Sequence, residues 1–167
     1  MTPPSRAVAL SEQLTRVHAA LRDRLVLVRQ EVAERGGPGP GVAWPDDLLS
    51  HCLGFCAAIH THHRGEDSRL LPALRDAAPG LAPVIDKLIE DHELVAGILR
   101  RIRDLLDPGR PPVGTQTFLR ELDGLTAILT SHFGYEERRI AQALDTLGPG
   151  GWVAEVFAPD EVAGPPA

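Results

Sequence analysis

Residues 129–140 read Leu129-Thr130-Ser131-His132-Phe133-Gly134-Tyr135-Glu136-Glu137-Arg138-Arg139-Ile140. Leu129, His132, Glu136 and Ile140 recur at three- and four-residue spacing, the period of an amphipathic α-helix. The stripe that faces a core is interrupted by an imidazole and, four residues on, by a carboxylate. Residues 59–70 repeat the pattern, with Ile59, His62, Glu66 and Leu70 at the same offsets. Positions i and i+4 sit one above the other on a helix face, so each pair turns both polar groups the same way.

Working outward, the same period runs through four segments. The first carries Leu14, Val17, Leu21, Leu25, Val28 and Val32 on one stripe. The second carries Leu48, Cys52, Phe55, Ile59 and Leu70, and the third Leu81, Ile85, Leu88, Val95, Leu99 and Ile102. The fourth carries Leu122, Leu125, Leu129, Ile140 and Leu144. None alternates as a half-buried strand does. Pro/Gly-rich breaks separate them at Gly36–Gly41 running on to Pro45, at Pro79-Gly80, and at Asp107–Gly114. Pro45 before Asp46 and Asp47 suits a helix start, and Thr115 is the expected N-cap of the fourth segment. Pro72 ends or kinks the second segment near Leu70 and leaves 72–79 as a short second piece.

Four helices of about 25 residues joined by short loops predict an all-α, up-down-up-down antiparallel four-helix bundle. It occupies residues 1–147, with a C-terminal tail over 148–167 that holds Trp152, Val153 and Phe157. Aromatics are 4% of the 167 residues against 43% hydrophobic overall, so the core is aliphatic.

Composition narrows the partners. A net charge of −6 and the absence of a basic stripe argue against nucleic acid or an anionic membrane surface. No apolar run reaches the roughly 18 residues of a membrane span. The N-terminus, Met1 to Ser5, has no apolar run behind it and so no leader-like character. Cys52 and Cys56, four apart, make a poor disulfide framework, which points to a reducing, cytoplasmic compartment.

The other two stripes are interrupted as well. His18 falls between Leu14 and Leu21, and His92 between Leu88 and Val95. A buried imidazole or carboxylate without a partner costs several kcal/mol, on the order of 2–7 for a neutral polar group. Six such residues at mid-helix positions need a common explanation, and a bound metal is one. His-x-x-x-Glu lets the imidazole bind one metal while the carboxylate reaches a second. Two such pairs with a single His from each remaining helix enclose a dinuclear site. An all nitrogen-and-oxygen donor set suits iron and excludes a thiolate zinc site.

His18, then His62-His63-Arg64-Gly65-Glu66, then Glu90-Asp91-His92-Glu93, then His132-Phe133-Gly134-Tyr135-Glu136-Glu137 resembles the bacterial hemerythrin-like pattern of the hemerythrin HHE cation-binding family. Leu70-Leu71-Pro72-Ala73-Leu74 is similar to the apolar-Pro signature that follows the family's first pair. The resemblance covers about residues 10–145. It implies two iron ions, oxo- or hydroxo-bridged, with His18, His62, His92 and His132 as terminal ligands and Glu66 and Glu136 as bridges. It also implies reaction with O2, nitric oxide or hydrogen peroxide.

The sequence departs from the invertebrate oxygen carriers in two ways. Ala96 stands where their third helix has a second ligand His, and Glu136 follows His132 by four rather than five. Of about twelve octahedral positions on two irons, this leaves about two open instead of one. That favours turnover over storage unless another side chain fills the gap. His63 is the leading candidate and Tyr135 the next. Asp67 and Glu137, each following a bridging Glu, are expected to hydrogen-bond ligand imidazoles. His51 and His60 fall off the inward stripe, and Cys52 and Cys56 read as small core residues.

Three functions remain open: a small protein that binds O2 or nitric oxide, a di-iron oxidase or peroxide-consuming enzyme with a small-molecule substrate, and a metal-free or iron-responsive interaction module. The paired Glu-x-x-His of ferritin-like oxidases is absent. Gly36–Gly41 lacks the Lys-Ser/Thr of a phosphate loop and reads as a linker.

Overall fold

The computed structural model describes residues 8–36, 44–111 and 113–163. Met1–Ser5, most of the Gly36–Gly41 linker and the end of the tail lie outside the described residues. Among the described residues all regular structure is helical: α1 Leu10–Arg35, α2 Asp46–Gly65, a π-helical turn Glu66–Leu70, α3 Leu71–Ala77, a 3-10 turn Pro79–Leu81, α4 Ala82–Leu106, α5 Thr115–Leu147, α6 Val153–Phe157 and α7 Pro159–Ala163. No described helix is long and apolar enough to cross a membrane.

The long helices form where the apolar stripes run, and they bury them. α1 packs against α2 and α5, and α4 packs against α5 and α2, so the four enclose one core. Leu14, Val32, Leu48, Ile59, Leu88, Leu125 and Leu144 are all fully or almost fully buried. Each such side chain contributes about 1.5–3 kcal/mol relative to exposure. Gly36 and Gly148 end α1 and α5 at φ +73° and +74°, where a side chain would be strained.

Two sequence expectations need adjustment, and a third takes a specific form. Gly114 is the N-cap of α5 and Thr115 its first helical residue. Leu81 lies in the 3-10 turn before α4 and is only partly buried. The break expected near Leu70 is present as the π turn Glu66–Leu70, and the short piece expected after it is α3, Leu71–Ala77. Leu71 N–H bonds the carbonyl of Glu66, five residues back, and α3 continues beyond. Pro72 has no amide to give, and the wider turn separates its ring from the carbonyl it would strike in a regular α-helix.

The tail folds back on the bundle. α6 and α7 both lie against α2, and Trp152 and Val156 are buried. Arg24 pairs with Asp160, and Arg69 with Glu155 at 3.5 Å.

Candidate metal centre

Among the described residues the buried polar or charged side chains are His18, His62, His63, Glu66, His92, His132 and Glu136. They come from α1, α2, the π turn, α4 and α5, and they meet in the middle of an otherwise apolar core. The six residues expected from the broken stripes are therefore brought together, and His63 joins them.

Two groups of donor atoms, each within 4.8 Å of one another, share one carboxylate. His18, His62 and Glu66 form the first, and His63, Glu66, His92 and His132 the second. Glu66 Oε1 is 3.3 Å from His62 Nε2 and its Oε2 is 3.3 Å from His92 Nε2. Glu136 Oε2 lies 3.5 Å from His18 Nε2 and 3.6 Å from His132 Nε2, reaching both sides. Neither cysteine belongs to either group.

The Nδ1 atoms turn outward to partners. His18 Nδ1–H donates to Glu137 at 2.9 Å, and His92 Nδ1–H to Asp67 at 2.6 Å. His62 Nδ1–H donates to the Val156 carbonyl at 2.6 Å. A carbonyl can only accept, so this nitrogen carries the proton and Nε2 is left as the donor to a metal. His132 Nδ1 is 3.5 Å from Asp91 Oδ2, too far for a hydrogen bond. Glu66 and Asp67 are consecutive, yet both reach His92, one at each ring nitrogen. They open the π turn, a distortion frequent at functional sites.

The Nε2 atoms consequently face one another, 3.1 Å apart for His18 and His62 and 3.0 Å for His92 and His132. In the His18/His62 pair, where both Nδ1 atoms donate to acceptors, neutral rings point two lone pairs together, which calls for a cation between them. Around them both oxygens of Glu66, both of Glu136 and His63 Nε2 have no hydrogen-bond partner. Buried acceptors left unpaired are costly, and a metal ion satisfies them together. The donor set, oxygen and imidazole nitrogen without thiolate, fits iron.

The charges follow from burial. Burial pushes His18 down to about 4, against the pull of its hydrogen bond to Glu137. Burial, with the charge of His92, pushes His132 down to about 3, and His63 is likewise held well below the usual range. Burial also opposes charge on His92, but the hydrogen bond to Asp67 and the nearby carboxylate charge of Glu66 prevail and lift it to about 9. A proton there serves the second imidazole pair when no metal is bound. Burial alone would raise Glu66, but the His62 and His92 rings hold it below the carboxylate range. Glu136 is raised well above that range by burial and by the charge of Glu66.

Around the cluster, Phe133 stacks on His18 with ring centroids 3.9 Å apart. A cleft of about 320 Å3 between α2 and α4 reaches His63 and His92, with Arg64, Asp67, Glu93 and Ala96 on its walls. Tyr135 is half-buried at the edge of the core with the Arg139 guanidinium 5.5 Å over its ring. His51 and His60 are exposed, and Cys52 and Cys56 are buried free thiols. Asp67 and Glu137 sit where their sequence positions suggested. Asp91 and the Val156 carbonyl went unanticipated. Asp91 offered a signal, as an acidic residue directly before a stripe-breaking His. A backbone oxygen offers none.

The family model for the hemerythrin HHE cation binding domain matches residues 9–144. No curated protein and no solved structure matches the chain.

Proposed function

The chain belongs to the hemerythrin HHE cation-binding domain family, and on that premise we propose that it is a non-heme di-iron protein that binds or reacts with O2, nitric oxide or peroxide. The observation that carries the reading is Glu66, one carboxylate shared between two imidazole-rich donor groups. His18 and His62 would hold one iron, and His63, His92 and His132 the other, with Glu66 and Glu136 spanning both. A pair of irons in such a site supplies a place for a small oxidant or nitric oxide to bind and electrons to exchange with it.

The chain's own residues do the rest. Glu137, Asp67 and the Val156 carbonyl fix three imidazoles with Nε2 inward. Phe133 covers the His18 side and excludes water there. His63 adds a fifth imidazole from α2, in place of the one that Ala96 lacks on α4, and leaves one fewer open position than four imidazoles would. Tyr135, beneath Arg139, is left out of this ligand set. Two buried free thiols agree with a cytoplasmic protein.

A second reading, a peroxide-consuming enzyme or oxidase of a small molecule, is favoured by the cleft. Its volume of about 320 Å3 is on the order of ten times the ≈ 30 Å3 share of one water, and its largely apolar walls carry a few polar groups, Arg64, Asp67, Ser68 and Glu93. Exposure of iron-loaded protein to O2, nitric oxide and hydrogen peroxide separates the readings. Reversible spectral change without turnover supports binding, and sustained consumption supports the enzyme. No response to any of the three contradicts both.

A further inference from the structure

The matched domain ends at residue 144, yet the site does not. His18 and His92 have Nδ1 partners, Glu137 and Asp67, that lie inside that domain. The Nδ1 partner of His62 is a backbone carbonyl 94 residues further along, in α6. We infer that the C-terminal segment 148–163 is a working part of the metal centre: the Val156 carbonyl is a positioning group that sets the His62 ring for the His18/His62 metal position. The inference rests on the di-iron reading for its metal, but the hydrogen bond itself stands without one.

The seat of this segment is built for close approach. Gly65, one residue before Glu66, lies directly under α6. A Cβ at position 65 would come 2.8 Å from Glu155 Cβ and 3.2 Å from Val156 Cγ2. Only glycine lets the α6 backbone descend far enough for the carbonyl to meet His62 at 2.6 Å. Trp152 and Val156, 4% and 0% exposed, anchor the segment in the core. Arg24–Asp160 and Arg69–Glu155 tie its outer edge to α1 and the π turn. None of these contacts touches His63, His92 or His132. Moving the segment should therefore disturb one metal position and spare the other.

The full-length Gly65→Ala variant tests this, because alanine favours a helix at that position while its methyl group displaces α6. Gly124→Ala, a helical glycine whose Cβ would meet nothing within 4 Å, is the control. Trp152→Ala provides a second way to unseat the segment. Two readouts are needed: the imidazole N–H resonance of His62 in metal-free protein, and Fe(II) binding with Mössbauer spectra. In Gly65→Ala and Trp152→Ala the His62 Nδ1–H signal should lose its protection from exchange with helix content unchanged. One iron should bind roughly 10- to 100-fold more weakly, the range for loss of an outer partner to a metal-bound imidazole. The other iron and the Gly124→Ala protein should match wild type. The inference is overturned if the His62 signal is unprotected in wild type or persists in both variants. It is overturned equally if both irons weaken together. Wild-type protein that binds no iron while the signal behaves as stated refutes the di-iron reading alone.

Discussion

His63 stacks on His92, with ring centroids 4.0 Å apart and planes 15° from parallel, and its Nε2 has no hydrogen-bond partner. The stack puts a fifth imidazole against the donor group of α4 and α5, beside the small side chain of Ala96. If His63 is a ligand, His63→Ala should weaken iron at that group by roughly 10- to 100-fold, an effect at least as large as losing a ligand's outer partner. The His18/His62 position should keep its affinity. Ala96→His added to His63→Ala should return an imidazole from the other wall of the cleft and recover part of the loss. Titration of Fe(II) under anaerobic conditions reads all three proteins.

Glu136 sets metal binding against stability. Burial and the Glu66 charge force its carboxyl toward the protonated form, and both its oxygens are unpaired. Glu136→Gln keeps the volume and removes the carboxylate. The metal-free variant should be at least as stable as wild type, by up to about 1–3 kcal/mol, in urea unfolding with a chelator present. Its iron binding should fall sharply.

Acid and base should destabilise the metal-free protein for opposite reasons. Burial holds His18 at about 4 and His132 at about 3, below the ordinary 6.5. Between pH 6.5 and those values the unfolded chain takes up protons that the folded chain refuses, so stability falls as pH falls. His92, raised to about 9, contributes stability that is fully present below pH 6.5 and lost as pH rises toward 9. The Tm of chelator-treated protein should peak near pH 6.5, declining on the acid side, where His18, His63 and His132 act together, and on the basic side, where His92 and the raised Glu136 act. Iron loading should raise Tm at neutral pH and lose that gain in acid, where protons compete for the imidazoles.

Much of this was legible in residue spacing. His-x-x-x-Glu on two segments and single His residues on two others located six of the seven buried polar side chains among the described residues, because a helix makes i and i+4 neighbours. Asp67 and Glu137 were legible as carboxylates beside the inward Glu positions. His63 was legible only as a candidate. Whether a residue adjacent to a stripe turns inward depends on how α2 and α4 approach each other, and no local period encodes that. The π turn showed only as a proline, whose missing amide permits a kink, a stop or a widened turn alike. The Val156 carbonyl lay beyond any pattern of side chains, since it depends on where a tail of short helices docks.

The cysteines should prove bystanders. Burial pushes Cys52 up to about 12 and Cys56 to about 11, so neither forms an appreciable thiolate at neutral pH. In folded protein at pH 8 both should resist iodoacetamide and react once urea unfolds the chain. Replacing both with Ala should leave the iron content unchanged. Rapid labelling in the folded state would contradict their place in the core.

The shared carboxylate gives the account its most direct test, the number of irons bound per chain by wild type and by Glu66→Ala after anaerobic Fe(II) loading and removal of free metal. The account predicts about two for wild type, as two donor groups require. It predicts fewer than one for Glu66→Ala, since the lost carboxylate belongs to both groups. One iron or none in wild type, or two retained without Glu66, would contradict it.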